Sequence, residues 1–338
     1  MLTNAIHRWD DVLTLAKGGL VMPHVATLHT CNLCNQFCVG CAYRGKHDKS
    51  VLDYEGHIKA INILCENGVK AFEFCGGGDP ALIEGLPDIM RYMSEKKLVR
   101  GIGLMTNGLE MSDELMKALI SYGAYVRISM EAANLEDYMQ YKNVPKRHFT
   151  TVIDNVRKLV NRRNNVGSKL EISLKFAVGK SLRGYQHYLG MNHLAGFLQV
   201  DKFFVKPLRH EPEELTLIER LEELKVFQKV YTSMLRVVPV KQSFISTMVA
   251  NPCWLNPLHT VMDHLGNLYI CCYYYYREES HKIGNIFYKD FRDIWFGEEH
   301  RKKIRSIKRE DCDKVDCKYF EHHKAVNELI DKGTIYFL

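Results

Sequence analysis

The sequence predicts an α/β protein, a partial (β/α)6 barrel followed by a small C-terminal domain. Three observations carry this reading. Short apolar runs alternate with amphipathic helical stretches from Val51 to about Val205, a dense cysteine run follows the first apolar run, and further cysteines lie between 253 and 317. Strands that alternate with helices of this length form parallel βαβ units, and right-handed crossovers wrap them into an open or partial barrel.

The first strand is expected in HVATLH (24–29). The other five fall in AFEFC (71–75), GIGLMT (101–106), YVRISM (125–130), LEISLKFAV (170–178) and KFFV (202–205). The first intervening helix is read in EGHIKAINILCENG, where Ile58, Ile61, Leu64 and Cys65 share one face. Amphipathic segments at 88–97, 113–122, 148–163 and 185–198 supply the rest. A charged helix, EPEELTLIERLEELKVFQKVYTSML, separates this unit from the later cysteines. The expected division is an N-terminal segment at 1–23, the barrel at 24–210, a helical connector at 211–245 and the C-terminal domain at 246–338. For the tetrad Tyr273–Tyr276 the sequence offers no account.

A hydrophobic content of 46% with 25% charge over 338 residues is ordinary for a globular protein with a real core. The N-terminus is too polar for a secretory signal, and no run approaches the ~18 apolar residues of a membrane span. A cytoplasmic location and no membrane partner are expected. Eleven cysteines in a reducing compartment argue for metal or catalysis over disulfides. Net charge is +6. Its basic concentrations, Arg301–Arg309 and KRHFTTVIDNVRKLVNRRNN, read as solvated helix faces, so nucleic acid is not expected as a partner.

The strongest chemical signal is HTCNLCNQFCVGCAY, in which three residues separate Cys34 from Cys38 and two separate Cys38 from Cys41. Thiolates this close suit an iron–sulfur cluster. Three of them leave one iron of a four-iron cube open to a small molecule, as a catalytic zinc keeps one position free. With Cys31 the run also reads as two Cys-x2-Cys pairs, but zinc sites of that type separate their pairs by some ~15–20 residues, and here three intervene. In strand-loop folds of this kind, functional loops follow the C-terminal ends of strands, which is where this run lies.

The chain resembles the radical S-adenosylmethionine (SAM) enzymes. In that family a CxxxCxxC loop after the first barrel strand holds a 4Fe–4S cluster, and SAM chelates the open iron. Reduction then cleaves SAM to methionine and a 5′-deoxyadenosyl radical, which abstracts hydrogen from an unactivated C–H bond. The turn CGGGDP (75–80) is similar to the family's glycine-glycine-glutamate-proline turn, so the resemblance assigns Gly76, Gly77, Gly78 and Asp79 to the SAM ammonium group, with aspartate standing where glutamate is usual. MTNG (105–108) and VRISMEAANLEDY are similar to the stretches around the SAM ribose and methionine, which makes Asn107, Ser129 and Glu131 further candidates. Lys175, Lys206 and Arg209 are read as able to face the barrel mouth. Gly40 stands where the family commonly has an aromatic residue, and Phe37 or Tyr43 is a candidate for the missing apolar surface.

The later cysteines resemble the auxiliary-cluster extension called SPASM or, in its shorter form, twitch. The resemblance assigns Cys253, Cys271, Cys312 and Cys317 to an auxiliary 4Fe–4S cluster, with Cys272 competing for the role of Cys271. Cys65 and Cys75 are read as core residues, Cys31 as outside the motif, and His322 and His323 as surface. Implied cofactors are both clusters and SAM, and the implied electron donor is a reducing partner such as flavodoxin or ferredoxin. A small-molecule substrate, a sugar or nucleotide derivative, is favoured because only about 25 residues precede the first strand, where peptide modifiers often carry some ~80 more. The alternatives are a peptide-modifying enzyme that matures ribosomally made peptides, and a zinc-binding, nucleic-acid-binding protein.

Overall fold

The structure, a computed structural model, describes residues 8–208, 212–231, 253, 256–272, 274 and 278–307. Arg209, three of the four tetrad tyrosines, Cys312, Cys317, His322, His323 and the expected boundary at 245/246 lie outside the described residues.

After helix α1 (Trp9–Ala16) the chain alternates as expected: β1 (Val25–His29), α2 (Tyr54–Glu66), β2 (Ala71–Phe74), α3 (Leu86–Glu95), β3 (Gly101–Thr106), α4 (Asp113–Tyr122) and β4 (Tyr125–Glu131). Two helices follow, α5 (Leu135–Lys142) and α6 (Lys146–Val166), then β5 (Glu171–Val178), α7 (Tyr185–Phe197), β6 (Lys202–Pro207) and α8 (Leu217–Tyr231). Side-chain caps start several of these helices. Asp53 accepts from Gly56 N–H before α2, and Ser112 from Leu115 N–H before α4, each meeting an amide that the helix itself cannot satisfy. Three cations of the basic run on α6 are bound to the protein's own acids. Lys158 and Arg162 pair with Asp113, and Arg163 pairs with Asp201.

All six strands run parallel in sequence order, β6-β5-β4-β3-β2-β1. On β4, Val126, Ile128 and Met130 enter the core formed with helix residues such as Leu115, Leu119, Val156 and Val160. The alternate residues Tyr125, Arg127 and Ser129 are half-buried on the opposite, inner face, as the two-residue period of a strand requires.

The C-terminal region continues the same sheet. Strand β7 (His259–Asp263) pairs parallel with β1, and β8 (Asn267–Tyr269) and β9 (Lys282–Asn285) add antiparallel beyond it, so that nine strands form one sheet. Asp263 closes the β7–β8 turn by accepting from the Leu265 and Asn267 amides. Short helices α9 (Glu278–His281), α10 (Phe291–Trp295) and α11 (Glu298–Ser306) flank β9. Trp295 Nε1 donates to the Val21 carbonyl at 2.7 Å, tying α10 to the segment before β1.

Candidate functional site

The cysteine loop leaves β1 and is fixed from two sides. On one side lies the glycine turn after β2. Gly76 (φ +63°) and Gly77 (φ +69°) adopt the left-handed region that favours glycine. A side-chain carbon on Gly76 would run into the His29 ring, one on Gly77 into the Cys31 carbonyl, and one on Gly78 into the Leu33 carbonyl. The turn then bonds to the loop: Gly78 N–H donates to Cys31 O at 2.5 Å and Asp79 N–H to Leu33 O at 2.7 Å. The close approach that these glycines allow is therefore to the cysteine loop itself.

Asp79 is 4% exposed. Its Oδ1 accepts from Ala81 N–H at 2.9 Å and from Thr106 Oγ1 at 2.7 Å, and its Oδ2 accepts from Asn107 N–H at 2.6 Å. The carboxylate thus joins the end of β2 to the end of β3. Burial pushes its pKa up, against the lowering effect of those three donors. Asn107 passes the connection on, since its Nδ2 donates to Asn35 Oδ1 at 2.7 Å inside the cysteine loop.

On the other side lies α5, which sequence reasoning missed. Its last carbonyls, Tyr141 and Lys142, accept from the Val39 and Phe37 amides at 2.8 and 3.2 Å, and Gln36 Nε2 donates to Tyr138 Oη at 2.9 Å. Gly40 packs on the same helix: a Cβ there would meet Tyr141 Oη at 2.8 Å, so a side chain at this position would displace that ring. Of the two aromatic candidates, Phe37 stands out at 68% exposure, and Tyr43 turns inward to bond His29 Nδ1 at 2.8 Å. Tyr138, Tyr141 and Lys142 recur at helical spacing in LEDYMQYK, and that spacing was the available signal.

Cys34, Cys38 and Cys41 are partly buried, and Cys38 lies close enough for its charge to add to the raised pKa of both Cys34 and Cys41. Burial raises the pKa of all three thiols, that of Cys34 to about 11. Each thiolate of a cube takes a different iron, so the three need not converge on one point, and among the described residues no three such side chains do. The donor set fits a cluster: three thiols, no disulfide among them, and a cation below. That cation is Lys142. Burial opposes its charge, but Cys38, Glu131, Tyr138 and Cys34 together outweigh burial and hold its pKa above the usual value. Cys31, read as outside the motif, is buried and donates to the carbonyls of Leu33 and Asp79 at 3.4 and 3.3 Å. It acts as a pin between loop and turn.

Polar atoms without a protein partner also face this region. Glu131 (φ +66°, 5% exposed) binds Lys175 Nζ through Oε1 at 2.6 Å, while its Oε2 and Asn35 Nδ2 are buried with no partner. A buried polar atom left in this way asks for a ligand or water, so these atoms fit a polar cofactor at the loop. Ser129 offers its carbonyl to Lys142.

In the C-terminal region, Cys253 and Cys271 pack against the main core, whereas Cys272 packs with Val261, Tyr269 and Tyr274. Cys65 is a core residue of α2, and Cys75, half-buried, donates to Met105 Sδ at 3.4 Å.

Comparison with known proteins agrees with this arrangement. Residues 28–174 match the family described as the radical SAM superfamily, and residues 253–318 match SPASM, an iron–sulfur cluster-binding domain. The chain belongs to the radical SAM superfamily. More narrowly, it is a radical SAM enzyme with a C-terminal SPASM domain, and the cofactors of that class are 4Fe–4S clusters and SAM. The GTP 3',8-cyclase of Aquifex aeolicus (strain VF5) is 29% identical over 148 residues, which span 43% of this chain and 40% of that protein. Among solved structures, Streptococcus suis SuiB bound to S-adenosylmethionine superposes with a TM-score of 0.68 at 17% identity, covering 90% of this chain and 72% of SuiB. Native anSMEcpe with bound AdoMet superposes at 0.64 and 18% identity, covering 88% and 87%. The family match sets aside the zinc-binding, nucleic-acid-binding alternative. No helix among the described residues is long and apolar enough to cross a membrane.

Proposed function

We propose that this enzyme reductively cleaves SAM at a cluster held by Cys34, Cys38 and Cys41, and that the resulting 5′-deoxyadenosyl radical takes hydrogen from an anionic small molecule, a sugar or nucleotide derivative. The single observation that carries the substrate class is Arg127 on the inner face of β4. Its guanidinium lies 3.9 Å from the centre of the Phe204 ring and 5.5 Å from that of Tyr125. Its Nε is buried without a partner, and among the described residues it forms no ion pair with a carboxylate. Guanidinium presents a planar fork that matches carboxylate and phosphate groups, so an anionic substrate group would complete this site. Lys175 and Lys206 stand on neighbouring strands of the same face.

The chain's own residues divide the remaining work. The glycine turn and Asp79 hold the cysteine loop in shape, and Glu131 Oε2 and Asn35 Nδ2 receive polar groups of SAM. Cys253 and Cys271, with Cys312 and Cys317, hold the auxiliary cluster, which helps oxidation or substrate binding. Cys271 packs against the main core, as Cys253 does, and Cys272, which packs with Val261, Tyr269 and Tyr274, competes for the same ligand role. A low-potential donor such as flavodoxin or ferredoxin supplies the electron.

The competing reading is peptide modification, since SuiB is also known bound to the precursor peptide SuiA, although at 15% identity that likeness carries the fold alone. The test is anaerobic reconstitution followed by a screen of phosphorylated sugars, nucleotides and peptides for stimulated 5′-deoxyadenosine release. Arg127→Met should raise KM for the true substrate about tenfold to hundredfold, the worth of a hydrogen bond to a charged group, and leave substrate-independent cleavage unchanged. Stimulation by peptides alone would overturn the small-molecule reading.

A further inference from the structure

A buried ammonium lies beneath the cysteine loop without a carboxylate of its own. Lys142 is 2% exposed at the end of α5. An ammonium carries three donors, and the described contact of this one is with the Ser129 carbonyl at 2.7 Å. Glu131 attracts it, but the bonded oxygen of that carboxylate is held by Lys175 at 2.6 Å, and among the described residues none pairs with Lys142. A buried charge left uncompensated is strongly destabilising. What lies above this one is the cysteine loop, bonded through the Phe37 and Val39 amides to the last two carbonyls of the same helix.

We propose that Lys142 is the fixed counter-charge of the cluster held by Cys34, Cys38 and Cys41, and that it sets how readily this cluster accepts an electron. The proposal rests on those three cysteines being the cluster ligands. Three thiolates bring negative charge into a region from which water is largely excluded, and reduction adds one more unit. A cation fixed in the same low-dielectric region stabilises the more negative state, and local charge is among the factors that set cluster potentials. The step is a one-electron reduction by an external low-potential donor. No bond forms or breaks at Lys142 and no proton moves there, so it is a positioning residue acting through its charge.

The test uses the anaerobically reconstituted full chain with Lys142→Met, which keeps an unbranched side chain of similar length without charge, and Lys142→Arg, which keeps the charge. Iron content and the midpoint potential of the SAM-binding cluster are read by dithionite titration followed by electron paramagnetic resonance. Lys142→Met should take up iron yet hold about tenfold less reduced cluster at a fixed ambient potential, about 59 mV for a one-electron couple. Lys142→Arg should stay within about twofold of the wild-type ratio. Loss of the cluster from the Met variant with retention in the Arg variant also supports the proposal. A fully loaded Met variant with an unchanged midpoint would overturn it, as would equal loss of the cluster from both variants, which would mark Lys142 as a packing residue. A wild-type protein that holds no iron on Cys34, Cys38 and Cys41 would instead overturn the ligand assignment on which the proposal stands.

Discussion

His300 is a single residue with a readable thermodynamic consequence. It is buried on α11, its Nδ1 bonds the Trp295 carbonyl at 2.6 Å, its ring lies 4.4 Å from the Trp295 ring, and its Nε2 is buried with no partner. Burial holds its pKa down to about 4 from the usual 6.5. The Trp295 hydrogen bond works against this, and the nearby charge of Arg301 adds to it. The folded state therefore holds the neutral ring where an unfolded chain would bind a proton. The stability this confers is complete above about pH 6.5 and is lost as pH falls from there towards 4. At 1.36 kcal/mol per unit the group accounts for about 2 kcal/mol between pH 7 and pH 5. Urea unfolding at the two pH values should show that much less pH dependence in His300→Gln than in the wild type. Parallel curves would mean that this ring does not titrate on unfolding. Nothing in the local sequence GEEHRKK distinguishes a buried neutral histidine from a solvated one, because its neighbours are charged and the burial shows only in the packing against Trp295.

At the scale of elements, the glycine turn and α5 together shape the cysteine loop, and only the turn was legible. CGGGDP stood out through its similarity to the family's glycine-glycine-glutamate-proline turn; a glycine-rich strand end alone is a weak signal. Its partner was less evident: the turn serves the loop directly, through Gly78 N–H to Cys31 O and Asp79 N–H to Leu33 O. Gly78→Ala should force the Leu33 carbonyl aside, at a cost of about 1–3 kcal/mol typical of overpacking. Thermal unfolding of the apo-protein and iron uptake should both report it, and unchanged values in both would show that the turn and loop yield freely. Helix α5 escaped notice because it is eight residues long and lies between two stronger signals, the end of β4 and the 21-residue α6. Its role depends on carbonyls at its C-terminus, and backbone acceptors leave no mark in a sequence. The six parallel strands were legible because each is a continuous apolar run or a clean alternation between helices.

At the scale of the whole molecule, the two cysteine regions meet at β1. That strand lies between β2, which leads into the glycine turn, and β7, which opens the C-terminal hairpin. The pairing of β7 with β1 was not legible, because strand pairing across more than two hundred residues follows from sheet edges and not from local pattern. Side chains reinforce the junction: Tyr43 and Tyr274 pack edge to face with centroids 6.5 Å apart, both against His29, and Lys46 pairs with Glu278 at 2.8 Å. The regions touch, yet Cys34, Cys38 and Cys41 follow β1 while Cys253, Cys271, Cys312 and Cys317 come more than two hundred residues later in the chain, so the two sets can be replaced separately. Replacing Cys34, Cys38 and Cys41 with alanine should lower bound iron from about eight to about four per chain, four for each cube, and abolish SAM cleavage. Replacing Cys312 and Cys317 should remove the other four and leave slow, substrate-independent 5′-deoxyadenosine release while product formation is lost. The physical reason is that cleavage needs one electron at the first cluster, whereas turnover also needs substrate placement or an exit for a second electron. Iron analysis paired with product chromatography separates the cases. Full product formation by the Cys312/Cys317 variant would reject a catalytic auxiliary cluster and leave only a structural metal there, whose loss should then appear as reduced thermal stability.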